Sequence, residues 1–245
     1  MDNQWQTVTQ QFDWILIIEQ NLAWMYANNS QVFVVGDLAW YPVAGKPRIV
    51  TTPNVMVVFG RPPGKRSIYK QWEEKHIAPQ VIFEILSPSH TREEMEKKLL
   101  FFDRYGVEEY YIYDPDNRDM RGWLRENLES GLEPIIELQN WISPRLEISF
   151  DLSGAELVIY RPDGHRFFNY LEISQMLEQE KQQAELESQR AELASLRAEL
   201  EAQRAGLESQ RILEAQQKAR QEQERSQFLA AELQRYRECF GNLPS

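Results

Sequence analysis

Residues 80–114, QVIFEILSPSHTREEMEKKLLFFDRYGVEEYYIYD, limit the possible folds more than any other stretch of the chain. The apolar run from Gln80 to Leu86 predicts a buried strand, closed by Ser87-Pro88-Ser89. Thr91 followed by Glu94 forms a capping box for a helix running to Tyr105, and Gly106 is placed to end it. Glu109 to Asp114 then predicts a second strand, stopped by Pro115. A strand, a helix and a strand joined this closely imply a right-handed parallel crossover. One residue conflicts with a buried strand: Glu84 shares a face with Ile82 and Leu86. A lone buried carboxylate is costly, so Glu84 requires a cation nearby, an open strand end or a metal. Lys98, on the helix that packs back on the sheet, is the candidate partner; Lys97 is its rival, about 100° round the helix.

The preceding residues extend the pattern. Residues 10–28 place Ile15, Ile18, Leu22 and Met25 at helical spacing, although the solid run Trp14–Ile18 also allows a strand at its start. Asn28-Asn29-Ser30 breaks the helix, and Val32 to Tyr41 reads as a strand. After a loop containing Pro42, Gly45 and Pro47, a strand near Val55–Phe59 opens on Asn54, which can reach the same strand ends as Glu84. Short strands are also expected near 120–124, 134–138, 147–152 and 156–160. The order is α-β-β-β-α-β followed by strands, an α/β or α+β core with a decorated edge.

Beyond about residue 172 the composition changes: Glu, Gln, Ala, Leu and Arg dominate and proline is absent until Pro244. We divide the chain into a mixed α and β domain, residues 1–172, and a helical extension, residues 173–245. The extension contains a seven-residue repeat, AELESQR, AELASLR, AELEAQR and AGLESQR, which lines up Leu186, Leu193, Leu200 and Leu207. If these are d positions, the a positions are Arg190, Arg197, Arg204 and Arg211, so the seam is thin for a coiled coil. The helix is expected to be a homo-association or docking element, with a solvated, partnerless helix as the alternative.

Net charge of −11 gives poor general support for binding a polyanion. Arg61, Lys65, Arg66 and Lys70 form a basic segment, which reads as a solvated loop. With one cysteine, Cys239, the chain builds no internal disulfide framework. No apolar run is long enough to span a bilayer, and the N-terminus lacks the pattern of a signal peptide. A soluble, cytoplasmic protein without membrane contact is therefore expected.

Acids on neighbouring strands with a nearby lysine suit metal-assisted phosphodiester hydrolysis, in which carboxylates hold Mg²⁺ and lysine positions or activates water. A buried Glu–Lys pair is also a common structural feature. The stretch from VVGDLAWYP through TPNVMVVFG to YKQWEEKHIAPQVIFEILSPSHTREEMEKKLLFFDRYGVEEYYIYDPD closely resembles the Uma2 family, which is common in cyanobacteria. The resemblance covers roughly residues 30–165 and rests on several segments together. It implies a restriction-endonuclease-like PD-(D/E)XK core, Mg²⁺ (or Mn²⁺) as cofactor and DNA as substrate. By it, Glu84 matches the second acid, Leu86 stands where the motif lysine is usual, and Lys98 takes the lysine's place. A site of Asn54, Glu84 and Lys98 follows, with Asn54 and Glu84 as metal ligands.

Asn54 departs from the family, which usually has aspartate there. An amide still offers a carbonyl oxygen but no charge, so metal affinity and activity are expected to fall. Asp37 and Glu19 are the candidates for compensation. His76, His90 and His165 lack metal-ligand spacing, and Trp72 with Glu73-Glu74 reads as packing. Tyr110, Tyr111 and Tyr113 read as core. Two functions remain: a Mg²⁺-dependent DNA endonuclease weakened at Asn54, or a catalytically inactive nuclease fold that binds or assembles. In the second, association runs through the core or the C-terminal helix.

Overall fold

The computed structural model describes residues 2–127 and 129–241. Helix α1 (Asp2–Met25) precedes β1 (Val32–Gly36), β2 (Trp40–Tyr41), β3 (Val55–Phe59), β4 (Tyr69–Lys70) and β5 (Val81–Ile85). Then follow α2 (Arg92–Arg104), β6 (Glu109–Asp114), β7 (Asp119–Leu124), β8 (Glu133–Pro134), β9 (Ser149–Asp151), β10 (Val158–Tyr160) and α3 (Tyr170–Phe240). The chain divides into two compact units, one ending at Gln175 and the other starting at Met176.

Six strands form the central sheet in the order β1-β3-β5-β6-β7-β8. β5 and β6 are parallel, with Val81 opposite Glu109 and Ile85 opposite Tyr113, and α2 makes the crossover between them. The other neighbours in this sheet run antiparallel. Local chemistry delimits α2 as expected. Thr91 and Glu94 exchange side-chain and backbone hydrogen bonds at its start. At its end Gly106 turns to φ +90, and the Val107 N–H returns to the Phe102 carbonyl at 3.1 Å.

Strand alternation divides the core between the two sheet faces. Trp14, Ile15, Ile18 and Leu22 of α1 pack on Val55, Val57, Val81, Phe83, Ile85, Tyr111 and Tyr113. Met95 and Phe102 of α2 pack with Met56, Val58, Ile82, Tyr110 and Ile112, joined by Trp40 and Tyr69. Glu84 falls between Phe83 and Ile85, so it shares the α2 face with Ile82. All five residues of β5 are buried.

Three boundaries differ from the sequence expectation. The strand expected over Val32–Tyr41 is split, because Asp37 takes a left-handed backbone (φ 48) and turns the chain toward β2, which pairs with β4. Aspartate is among the side chains that tolerate this region. The strand expected at 134–138 is limited to β8, where Glu133 and Pro134 pair with Leu124 and Trp123. Helix α1 reaches back to Asp2 and stops at Met25.

Helix α3 is 71 residues long; it starts at Tyr170 in the first unit and makes up nearly all of the described part of the second, where Leu186, Leu193, Leu200 and Leu207 are exposed. Surface pairs at i,i+4 such as Arg220–Glu224 and Gln183–Glu187 run along it. Among the described residues no helix is long and apolar enough to cross a membrane.

Phe102 fixes α2 over the sheet: it is fully buried, parallel to Trp40 and edge-on to Tyr110 at 4.8 Å. Phe102→Ala is expected to lower the unfolding free energy by about 3–5 kcal/mol, measured by urea denaturation.

Candidate functional site

The β1–β3 and β3–β5 registers, continued by one residue, set Asp37 beside Asn54 and Asn54 beside Glu84. The β5–β6 and β6–β7 registers carry this row through Ile112 to Arg121. One line across the sheet thus holds two acids, an amide and an arginine, and α2 covers it at Glu84.

Glu84 is 1% exposed and its Oε1 accepts a 2.7 Å hydrogen bond from Lys98 Nζ. Lys98 therefore faces Glu84, while its rival Lys97 turns outward to pair with Glu93 at 2.8 Å. Glu84 Oε2 makes no hydrogen bond of good geometry among the described residues, although the Asn54 main-chain N–H lies close enough to the carboxyl to lower its pKa. Burial pushes the Glu84 carboxyl up to about 7 despite Lys98, and the negative charge of Asp37 adds to the rise.

Asn54 ties the strand ends together. Its Oδ1 accepts the Ile85 N–H at 2.8 Å, and its Nδ2 donates to Asp37 Oδ1 at 3.4 Å. The Asp37 N–H in turn donates to the Asn54 carbonyl at 3.1 Å. The carbonyl of Ile85 is taken by Gln11 Nε2 of α1 at 2.8 Å, a contact no sequence pattern announced. His90 is also part of the surround: its Nδ1 lies 3.0 Å from the Ser87 N–H and closes the β5–α2 loop. Burial, then the nearby Lys98 charge, lower its pKa and favour the neutral imidazole.

Glu19 does not join the row. It approaches Gly36 from α1, where a Cβ on that glycine would stand 3.6 Å from Glu19 Cγ. Alternation from Val32 and Val34 places this contact on the face opposite α2.

A second buried acid gives the contrast. Glu109 accepts from Tyr111 OH at 2.9 Å, the Arg145 N–H at 2.6 Å and the Ser143 hydroxyl. Burial raises its pKa while these donors lower it. Glu109 organises the 143–146 turn; Glu84 leaves an oxygen without a partner.

The basic segment is an exposed loop at Lys65, as expected, but its two arginines are tied down. Arg61 and Arg66 clamp Glu74 at 2.6 and 2.7 Å, with the three side chains 14% exposed, and Arg66 covers Phe33. A groove of about 470 Å³ is lined by Leu86, His90, Arg92, Glu96, Arg121 and Trp123, among others; Glu84 and Lys98 do not line it.

Mg²⁺ is commonly held by one or two carboxylates and several waters. The free Glu84 oxygen, with the Asp37 carboxylate two strands away, fits that donor chemistry. Among the described residues no group of three or more His, Cys, Asp or Glu side chains is arranged to hold a metal ion.

The sequence model of the Uma2 family, described as "Putative restriction endonuclease", matches residues 14–158. The match covers more than half of the chain and includes the second half of α1. No curated protein matches. A solved structure from Anabaena variabilis, described as a "putative nuclease belonging to DUF820", is similar with a TM-score of 0.38 and 16% identity. That similarity covers 54% of this chain and 70% of the other.

The raised Glu84 pKa sets a sign for stability. The folded state keeps this proton to higher pH than the unfolded chain, so its contribution falls as pH rises from about 4.5 to about 7. Thermal midpoints in chelator are expected to show the wild type losing ground to Glu84→Gln across that window. A constant difference between the two proteins contradicts the assignment.

Proposed function

The chain belongs to the Uma2 family, and from that premise we propose that it is a divalent-metal-dependent nuclease hydrolysing phosphodiester bonds in DNA. The observation that carries the reading is the Glu84 carboxylate, buried in the central strand with one oxygen on Lys98 and the other without a hydrogen bond of good geometry. A buried acid with a purely structural role is expected to have both oxygens satisfied, as Glu109 does with two hydroxyls and a main-chain N–H. The proposed site is Glu84, Lys98 and Asn54, with Glu84 and Asn54 oxygens toward Mg²⁺ or Mn²⁺.

When bound, such an ion polarises the phosphate and lowers the pKa of a coordinated water. The protein's own residues supply position and charge. The Glu84 backbone is held in the central sheet and its Oε1 by Lys98, which restricts where the other oxygen can point. Lys98 is 24% exposed, which lets its remaining N–H groups donate to a phosphate oxygen or an attacking water. Asn54 keeps the ends of β3 and β5 in register through the Ile85 N–H, with one lone pair of its carbonyl left for a ligand. In this reading the groove bearing Arg92, Arg121 and Trp123 receives the nucleic-acid strand, with phosphates displacing Glu96 from Arg92 and Asp119 from Arg121. A cytoplasmic location suits that substrate.

The neutral Asn54 favours a second reading, a nuclease fold that has lost catalysis and works by binding or assembly. Nuclease assays with Mg²⁺ or Mn²⁺ on several DNA forms separate the two. Cleavage is expected in the wild type and is expected to fall by about 10²–10³-fold or more in Glu84→Ala. Cleavage by Asn54→Asp but not by the wild type indicates the second reading. If none of these proteins cleaves DNA, the nuclease reading fails.

We also propose that α3 mediates self-association along its exposed leucine stripe, since long isolated helices gain most of their stability from packing. Replacing Leu186, Leu193, Leu200 and Leu207 with serine in the full chain is expected to reduce the mass measured by light scattering. An unchanged mass removes this role.

A further inference from the structure

We propose that Asp37 brings the second negative charge to a divalent cation held at Glu84, while Asn54 sets the geometry between them. This inference rests on the nuclease reading and adds a ligand that the family's usual aspartate position does not supply.

The first argument is placement. Asp37, Asn54 and Glu84 are successive members of one row across β1, β3 and β5. The second is commitment. The Asn54 amide is used on both sides, accepting from Ile85 N–H and donating to Asp37 Oδ1. Its NH₂ group faces Asp37 and cannot ligate a cation, so Asn54 has one carbonyl lone pair and no charge left to offer. The third is need. Glu84 is 1% exposed and its Oε2 makes no hydrogen bond of good geometry among the described residues, so a buried acceptor lacks the donor or cation that burial demands.

The surroundings suit that role. Asp37 is exposed, so a hydrated ion can reach it from solvent. Its φ of 48 projects the residue off the end of β1, and its N–H is anchored on the Asn54 carbonyl. Glu19, the other acid near this strand end, approaches Gly36 on the opposite face. Two carboxylates with the remaining positions taken by water form a donor set that Mg²⁺ accepts, and Mn²⁺ serves as its spectroscopic substitute.

The test is Mn²⁺ binding to the full-length protein, read as loss of the free-ion EPR signal, without any activity measurement. Asp37→Asn is suitable because asparagine also tolerates the left-handed backbone and can still accept from the Asn54 amide. The wild type is expected to bind one Mn²⁺. Asp37→Asn and Glu84→Gln are each expected to weaken binding by about tenfold or more. In Asp37→Asn/Asn54→Asp the charge returns to the neighbouring strand, and affinity is expected to recover. Thermal midpoints in chelator check that each variant is folded; Asp37→Ser replaces Asp37→Asn if the latter is not.

Equal binding by wild type and Asp37→Asn, with loss in Glu84→Gln, overturns the role of Asp37 and leaves the nuclease reading intact. Binding by Asn54→Asp but not by the wild type overturns it as well, because Asp37 then fails to compensate. If neither the wild type nor Asn54→Asp binds Mn²⁺, the nuclease reading falls and this inference falls with it.

Discussion

A carboxylate inside the central strand is the constraint around which the first unit is arranged. Removing an ion from water costs several kcal/mol after relaxation, and a single partner recovers only part of it. Glu84 therefore requires Lys98 to arrive at the right height and angle. The capping box fixes where α2 starts, Phe102 fixes its rotation one turn beyond Lys98, and Gly106 fixes where it ends. Met95 and Phe102 form the apolar stripe of α2, and the lysine enters beside that stripe. A shift of one residue in the helix start rotates it by about 100° and exchanges Lys98 for Lys97. Packing and electrostatics thus select the same register.

Glu109 shows what a buried acid looks like when its role is structural. Its oxygens are met by a tyrosine hydroxyl, a serine hydroxyl and a main-chain N–H, each from a different position in the chain. Those donors hold the turn that leads into β9. Glu84 is no less buried, yet has one cation and one unpartnered oxygen. Because both acids lie on strands of the same sheet, burial alone does not distinguish them. The number of donors facing each carboxylate does.

The crossover was legible in the sequence because its signals are local: apolar run, capping box, terminal glycine and second strand follow one another within 35 residues. Glu84 and Lys98 were legible for the same reason, since an acid in an apolar strand demands an explanation and the crossover limits where its partner comes from. The split at Asp37 was not, because apolar residues run up to Gly36-Asp37 on both sides and a left-handed aspartate leaves no periodic trace. The clamp of Arg61 and Arg66 on Glu74 was missed because charge runs look solvated until a distant acid is placed among them. Gln11 escaped for a related reason: a glutamine on a helix gives no sign that it will meet the Ile85 carbonyl. The row Asp37–Asn54–Glu84 depends on registers that only pairing across three strands reveals.

Asn54 can be understood from the same geometry. An aspartate there would accept the Ile85 N–H equally well, so the main-chain tie does not require an amide. The contact to Asp37 does: with Nδ2 and Oδ1 3.4 Å apart, a carboxylate at position 54 would put two negative charges against each other. Glu84 would then be a third acid in the row, with Lys98 the one cation shown facing it. Without a bound cation, that arrangement is destabilised by repulsion; with one, it binds more strongly. Asparagine relieves the metal-free fold and keeps the strand ends tied, at a cost in charge. The row thus trades ion affinity against stability at one position, and the neighbouring Asp37 determines how far that trade reduces affinity.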